Sequence, residues 1–297
     1  MGKVGVRLSV ASNLAIGLLL VGLALYKDVP SRVAARLFPA PAAETARGTT
    51  TPSQLTKFAK RLEDKGSVII VAFGDSVTQG ATSMRMRDPE SVYHNQLKKL
   101  LENRYPDVTF SLINSGIGGD KASDGLARID RSVIRFSPDL VLIEFGLNDS
   151  VKHGLAGLRK FKLTMVEIVR RIEQQTEADI VLLTPNFLAT SDNRNVHEEH
   201  RQKGYAETLP KIQNDGVLAR YAQALRDVGA ACDVPIADVY SVWERISDAV
   251  DTNTLLANGL NHPDAEGHRI AAETVMALID DEFICDSQRA LAVVKEE

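Results

Sequence analysis

Residues 68–80 of the 297-residue chain read VIIVAFGDSVTQG and pass from six apolar side chains into a turn of small polar residues. A short, continuous apolar run is typical of a strand that is buried on both faces. Further segments that read as strands follow at 108–113, 140–145 and 180–183, with a shorter one at 234–236. Helical patterns separate these runs, at 91–101, 121–134, 155–175, 212–229 and 264–283. This alternation predicts a parallel sheet with helices on both faces.

Small polar residues collect where the predicted strands end. GDSVTQG occupies 74–80, NSGIGGD occupies 114–120, GLNDS occupies 146–150, and HPDAEGH follows much later at 262–268. Turns and helix caps use the same residue types, so each segment alone says little. In a parallel α/β fold, however, the carboxyl ends of the strands form the active site. The ordered set therefore predicts a site at that edge of the sheet.

These four segments resemble the spaced sequence blocks of the GDSL/SGNH hydrolases, a family of serine esterases and lipases, over about residues 67–280. The resemblance implies a flavodoxin-like three-layer α/β/α sandwich with a mostly parallel five-stranded sheet. It also implies Ser76 as the nucleophile and His262 as its base. The oxyanion hole would comprise the main-chain N–H groups of Ser76 and Gly119 and the side-chain amide of Asn148. Asp75 is expected to fix the turn geometry, and the resemblance makes it a further candidate for the catalytic site.

Hydrolysis of an ester gives each of these positions a chemical reason. The carbonyl needs a nucleophile, a base that takes the nucleophile's proton, and donors aimed at the developing oxyanion. Glycine at position 119 lets the main chain approach the substrate, because no Cβ intrudes. The Gly-x-Ser-x-Gly elbow of other α/β-hydrolases is absent, since Thr78 stands two residues after Ser76.

The segment before His262 departs from the family pattern. The family usually has an Asp three residues before the histidine, where this chain has Gly259. The alternatives for orienting the ring are a main-chain carbonyl or one of four side chains: Asn258 or Asn261 through the amide oxygen, Glu144 and Asp149. We expect a slower hydrolase that works through a Ser–His dyad or through a triad with an unusual third member.

The N-terminal region differs from the rest of the chain. Residues 8–26 are nineteen uncharged, mostly apolar residues, preceded by Lys3 and Arg7. This length is close to the roughly 20 residues that cross a bilayer as a helix, and we expect an uncleaved signal anchor rather than a cleaved signal peptide. The expected organisation is an anchor region at 1–38, a flexible linker at 39–56, an SGNH catalytic domain at 57–285 and a charged tail at 286–297. The catalytic domain should lie outside the cytoplasm, either membrane-anchored or secreted.

Charge and cysteine content argue against several other classes of protein. The formal net charge of −4 gives no basic surface for nucleic acid. Two cysteines, Cys232 and Cys285, cannot form a paired Cys-x-x-Cys metal site, and we expect buried thiols rather than a disulfide. HEEH at 197–200 lacks the spacing of the His-Glu-x-x-His zinc motif, so residues 191–203 are expected to be a solvated insertion near the site mouth. Neither a cofactor nor a metal is expected.

The expected function is hydrolysis of small-molecule or carbohydrate esters, with a preference for short acyl groups such as acetyl. A lipid-directed esterase or lysophospholipase is the nearest alternative, because the anchor would hold the site near a bilayer. A degenerate SGNH domain that binds glycans without turnover, or one that transfers an acyl group to sugar, is the other. The presence of Ser76, Gly119, Asn148 and His262 together favours an active enzyme.

Overall fold

A computed structural model describes residues 55–83, 86–281 and 283. The strands are β1 (Ser67–Gly74), β2 (Ala81–Ser83), β3 (Met86–Arg87), β4 (Thr109–Gly116), β5 (Leu140–Glu144), β6 (Asp179–Leu183) and β7 (Ile236–Ala237). The helices are α1 (Thr56–Glu63), α2 (Ser76–Gln79), α3 (Tyr93–Arg104), α4 (Ala122–Ser132), α5 (Leu147–His153), α6 (Leu158–Gln175), α7 (Glu198–Gln202), α8 (Tyr205–Asn214), α9 (Val217–Cys232), α10 (Val239–Ser247) and α11 (Ala265–Ile279).

The main sheet has five strands in the order β4-β1-β5-β6-β7, and every neighbouring pair is parallel. Strands β2 and β3 form a separate antiparallel hairpin directly after the nucleophile turn. Helices cover both faces of the main sheet, so the predicted three-layer α/β/α sandwich is confirmed.

The core consists of two apolar layers, one on each face of the sheet. In β5, Leu140 and Leu142 point into one layer while Val141 and Ile143 point into the other. All four are fully buried, as the continuous apolar run predicts for a central strand. The first layer contains α3, α10 and α11, and the second contains α4, α6 and α9.

Strand register brings the polar segments to one level. Gly74, the last residue of β1, pairs with Gly116 of β4 on one side and with Glu144 of β5 on the other. The segments that begin at residues 74, 116 and 145 therefore leave the sheet side by side. This common edge is where the predicted site residues meet.

The helices of residues 191–229 differ from the predictions. The single helix predicted over 212–229 is two helices, α8 and α9, because Gly216 takes a left-handed conformation with φ of 71° and breaks the helical path. Within the polar stretch at 191–203 the structure forms the short helix α7, whose His200 is buried.

Several predictions concern parts of the chain outside the described residues. The apolar segment at 8–26, nearly all of the linker, the charged tail and Cys285 belong to this group. None of the described helices is both long and apolar enough to cross a membrane. Cys232, at the end of α9, is a free, partly buried thiol.

Candidate active site

Ser76 begins the four-residue helix α2, on a tight turn that leaves β1. The carboxylate of Asp75 caps this helix, because its Oδ1 accepts a hydrogen bond of 2.8 Å from the main-chain N–H of Val77. Close packing requires glycine at position 74, where a Cβ would lie 2.2 Å from Thr78 Oγ1. The turn therefore presents the Ser76 hydroxyl in one fixed place, with 7% of the residue exposed.

The structure brings His262 onto this hydroxyl. Nε2 of His262 lies 3.0 Å from Ser76 Oγ, within hydrogen-bonding distance. Burial lowers the pKa of His262 to about 4; the nearby main-chain carbonyl of Thr82 opposes this shift, and His200 adds to it. The ring is therefore neutral near pH 7, so it has a lone pair for a proton but is a weak base.

The side chain of Asn258 contacts the other ring nitrogen. Its Oδ1 accepts three main-chain N–H bonds of 3.0 Å, from Leu260, Asn261 and His262. Its Nδ2 donates to Asn261 Oδ1 at 2.9 Å and faces His262 Nδ1 at 3.2 Å. Reversing the amide would set its NH₂ group against three donors, so this orientation is fixed. The amide nitrogen of Asn258 therefore contacts the ring, and not the amide oxygen that the sequence suggests as one of the alternatives for orienting it.

The packing around Gly259 explains why this chain has no side chain at the position where the family usually has an Asp. Its φ is 67°, and a Cβ there would lie 2.4 Å from Asn193 Oδ1 and 3.0 Å from Asn195 Cβ. Asn193 also donates to the Gly259 carbonyl at 2.7 Å. The polar stretch at 191–203 thus packs over this position, and a side chain at 259 would collide with it.

The two carboxylates considered as substitute acids bind elsewhere. Glu144 accepts a hydrogen bond from Thr78 Oγ1 at 3.2 Å, and both oxygens of Asp149 accept from the main-chain N–H of Ala122. Burial raises the pKa of Asp149 to about 6, and that N–H group opposes the shift. Neither carboxylate is among the hydrogen-bond partners of the His262 ring in the described part of the chain.

The expected oxyanion donors lie beside the nucleophile turn. Gly119 has φ of 83°, and no atom lies within 4 Å of where its Cβ would stand. Asn148 Nδ2 donates to Asp75 Oδ2 at 2.8 Å and to the main-chain carbonyl of Asp120 at 3.1 Å. Both amide hydrogens of Asn148 are therefore already bonded, so an oxyanion must share or replace one of these acceptors.

A buried polar cluster beneath the turn contains Glu144, which is a candidate from the sequence, together with three residues that were not identified as site residues: Thr78, Tyr93 and His94. Thr78 Oγ1 lies 3.2 Å from both Glu144 Oε2 and Tyr93 Oη, and Thr78 O lies 2.9 Å from His94 Nε2. Burial raises the pKa of Glu144 to about 7 and raises that of Asp75 well above its ordinary value. For Thr78, Tyr93 and His94 the sequence gives no signal of this cluster, whereas Glu144 is the one charged residue in the otherwise apolar run at 140–145.

Arg128 on α4 is a further residue without a sequence signal. Its guanidinium donates to the carbonyls of Gly74 at 2.9 Å and Ser115 at 2.8 Å, and to Asp120 Oδ2 at 2.7 Å. One buried cation thereby ties the ends of β1 and β4 to the loop that carries Gly119. Among the described residues, no group of three or more His, Cys, Asp or Glu side chains is arranged to hold a metal ion.

Comparisons with known proteins show the family to which the chain belongs. Residues 72–270 match the model of the GDSL-like Lipase/Acylhydrolase family. YqeF, a lipoprotein of Bacillus subtilis, is 26% identical over 222 residues, which cover 72% of this chain and 90% of the relative. An acetylxylan esterase of Geobacillus stearothermophilus is 22% identical over 196 residues, covering 62% of this chain and 79% of that protein.

Two solved structures share the fold. Axe2, an acetylxylan esterase from Geobacillus stearothermophilus, superposes with a TM-score of 0.57 at 20% identity, covering 74% of this chain and 96% of its own. A two-domain esterase active on acetylated mannans gives a TM-score of 0.58 at 21% identity, over 77% of this chain and 53% of that one. The family match extends over most of the described sheet and includes Ser76 and His262. The chain therefore belongs to the GDSL-like lipase/acylhydrolase family and is a carboxylic-ester hydrolase, as the sequence predicted.

Proposed function

We propose that the protein is a serine esterase that removes short acyl groups, such as acetyl, from carbohydrate or related small-molecule esters. The observation that carries this proposal is the 3.0 Å contact between Ser76 Oγ and His262 Nε2. It joins a hydroxyl on a rigid turn to a neutral imidazole, which is the pairing that nucleophilic catalysis by serine requires.

In the proposed mechanism His262 takes the Ser76 proton as Oγ bonds to the ester carbonyl carbon. The carbonyl electron pair moves to oxygen, where the N–H groups of Ser76 and Gly119 and the amide of Asn148 stabilise the charge. Collapse breaks the ester C–O bond, and the leaving alcohol takes the proton from His262. Water, deprotonated by His262, then cleaves the acyl-enzyme, releasing the carboxylic acid and restoring Ser76.

Asn258 has a limited role in this mechanism. It holds the ring in place but adds no negative charge beside the imidazolium that forms during each step. The Thr82 carbonyl is a neighbouring group that favours the charged ring, and burial acts in the opposite direction. We therefore infer slower turnover than a Ser-His-Asp triad would give.

Two features support short acyl groups on carbohydrate. The Geobacillus relative is an acetylxylan esterase, and a two-domain esterase with the same fold is active on acetylated mannans. Only 7% of Ser76 is exposed, which favours a small acyl group over a long chain at the nucleophile.

A lipid-directed esterase is the second candidate. The Bacillus subtilis relative is a lipoprotein, and residues 8–26 form an uncharged, apolar segment. We propose that this segment holds the catalytic domain at the outer face of a membrane or directs its export. Held there by an anchor, the site would lie close to lipid esters.

A chain-length series tests the proposal. The purified full-length protein is assayed on p-nitrophenyl acetate, butyrate and decanoate, with Ser76→Ala as the control. We expect turnover of acetate above the other two esters and its loss in Ser76→Ala. A maximum on decanoate would favour the lipid-directed esterase instead.

Two further assays separate the remaining alternatives. Acyl transfer to an added xylo-oligosaccharide, exceeding release of free acid, would identify a transferase. Absence of ester turnover together with absence of Ser76 labelling by a fluorophosphonate probe would overturn the serine mechanism and favour a glycan-binding domain.

A further inference from the structure

Half of the exposed large apolar side chains in the described part of the chain lie on one short stretch, 155–166. Leu163 and Val166 on α6 are 62% and 36% exposed, and Leu155, in the 3₁₀ turn that leads into α6, is 57% exposed. Single exposed apolar residues need no explanation, but a cluster of them marks a surface that binds a partner.

The periodicity of α6 places Leu163 and Val166 on the side of the helix that faces away from the core. Four residues at intervals of four, three and four form this outer face: Arg159, Leu163, Val166 and Arg170. The buried side chains of α6 form the opposite face: Phe161, Met165, Ile168, Val169 and Ile172. The outer face of α6 therefore presents its apolar side chains between two arginines.

The surroundings of this face are rich in positive charge. Residues 152–166 contain four Lys or Arg and neither Asp nor Glu, although the whole chain has a formal net charge of −4. Lys162 forms an ion pair with Asp227 at 2.8 Å. The other three cations are exposed and form no ion pair with a described residue: Lys152, Arg159 and Lys160. Exposed leucines among cations are typical of protein surfaces that lie on anionic lipid.

We propose that the outer face of α6, together with Leu155, docks the catalytic domain onto an anionic lipid bilayer. The exposed apolar side chains enter the boundary between headgroups and acyl chains, and the three unpaired cations lie against lipid phosphates. A second copy of this chain fits the face less well, because a two-fold contact would set these cations against the same cations.

The sequence before the described domain is long enough to allow this contact. Residues 27–54 join the apolar segment at 8–26 to Leu55, and these 28 residues can span at most about 100 Å. Helix α6 has 18 residues and is therefore about 27 Å long. A domain that residues 8–26 hold at a membrane can therefore turn the whole length of α6 towards it.

Docking by this face sets the direction in which the active site opens. Helix α6 lies between β5 and its parallel neighbour β6 in the chain, so it runs back alongside the strands. The strands then lie along the bilayer, and the sheet edge that carries Ser76 opens along the membrane surface rather than into it. This orientation favours esters in the water layer over esters within the bilayer.

A tryptophan reporter tests the contact. The full-length Leu163→Trp protein is incubated with phosphatidylcholine vesicles that contain about 30% phosphatidylglycerol, with brominated acyl chains that quench tryptophan on contact. Trp243, the one native tryptophan, is fully buried, and the quenching of the wild type is subtracted. We expect strong quenching of the reporter on these vesicles. We expect little on brominated phosphatidylcholine alone, or on the anionic vesicles in about 1 M salt.

Asn103→Trp is the matched control, because Asn103 is exposed on α3, which packs on the other face of the sheet. Residues 8–26 would hold both proteins at the vesicle equally, so the reporter at 103 should stay unquenched. Equal quenching at 103 and 163 would show tethering without docking and would overturn the inference. So would an absence of quenching at 163 on the anionic vesicles.

Charge reversal provides a second test. Arg159→Glu/Lys160→Glu in the Leu163→Trp protein removes two cations, each of which adds about fivefold to affinity for an anionic membrane. We expect the ratio of docked to undocked molecules to fall at least about 25-fold, so that quenching drops to its level on phosphatidylcholine.

Lys57→Glu/Lys60→Glu makes the same change of charge on the exposed side of α1 and should leave the quenching unchanged. Urea unfolding checks that both double variants remain folded. An equal loss of quenching in the two would show a response to net charge alone and would contradict docking by α6. A dimer that forms without lipid and dissociates in Leu163→Glu would assign this face to a second copy of the chain instead.

Discussion

The amide nitrogen of Asn258 lies 3.2 Å from Nδ1 of His262, so a donor faces the ring nitrogen that an acid contacts in a Ser-His-Asp triad. This contact favours the tautomer with its proton on Nε2, and that proton points at Ser76 Oγ. A base must instead offer a lone pair at Nε2. The resting contact therefore favours the inactive tautomer and opposes formation of the imidazolium.

Replacing Asn258 with Asp should make the enzyme faster. One carboxylate oxygen would keep the three main-chain N–H bonds, and the other would accept a proton from Nδ1. We expect kcat to rise by about tenfold or more, since a triad acid is worth up to about 10⁴ in rate. The measurement is kcat for acetyl-ester hydrolysis at pH 7.

Gly259→Asp is the contrasting variant for this prediction. It restores the acid at the family's usual position but forces a side chain onto Asn193 and Asn195 and a left-handed backbone. It should lose stability and gain no activity. A slower Asn258→Asp enzyme would contradict the inferred tautomer preference.

Removing the amide of Asn148 should lower kcat by about 10²–10³, the usual cost of one oxyanion donor. Asn148→Ala is compared with Asn214→Ala, since Asn214 also donates to a main-chain carbonyl, that of Thr190, but on the surface. The control should keep wild-type kcat. A loss below about threefold in Asn148→Ala would mean that the bonds to Asp75 and Asp120 keep this amide from the oxyanion.

Gly119→Ala should affect activity more than stability. Gly119 and Gly204 have similar left-handed φ values, 83° and 74°, and open space where a Cβ would stand. Either alanine should cost about 1–2 kcal/mol of unfolding free energy through backbone strain. Urea unfolding should give equal losses, whereas only Gly119→Ala should reduce kcat/KM, because its methyl group enters the substrate's space.

Burial of His268 should make the fold sensitive to acid. Burial lowers the pKa of His268 to about 3. Below about pH 6.5 the histidine therefore binds a proton in the unfolded chain but stays neutral in the folded chain. This contribution to stability is intact above pH 6.5 and declines as the pH falls towards 3. At pH 5 the lost stability is about 2 kcal/mol for this histidine.

Urea unfolding at pH 7.5 and pH 5.0 measures this effect. His268→Phe retains a ring against Tyr93. Between pH 7.5 and pH 5.0 its free energy of unfolding should fall by about 2 kcal/mol less than that of the wild type. Replacing the exposed His153 with Gln should leave the wild-type difference unchanged. Equal pH dependence in wild type and His268→Phe would show that His268 is protonated in the folded protein.

The fold was predictable because its central strands are continuous apolar runs, and the four polar segments predicted where the site lies. Helix α10 was not predicted, since Asp238 reads as a turn residue although it caps the helix through a bond to Ser241 N–H. The orientation of the Asn258 amide depends on three main-chain N–H groups in one loop conformation. No side-chain pattern in the sequence encodes that conformation.

The contact between Thr78 and Glu144 could not be predicted for a different reason. It depends on the register between β1 and β5, which sets Gly74 opposite Glu144. Residue type and spacing predict that both strands are buried, but they do not align one strand with the other.

The shared level of Gly74, Gly116 and Glu144 has a consequence for folding errors. A slip of β1 by one residue would move Ser76 by about 3.3 Å. That shift is as large as its separation from His262, 3.0 Å, yet the amount of helix and strand would hardly change. Misaligned molecules should therefore lack catalytic turnover, although their circular dichroism spectrum would be the same as that of the native protein.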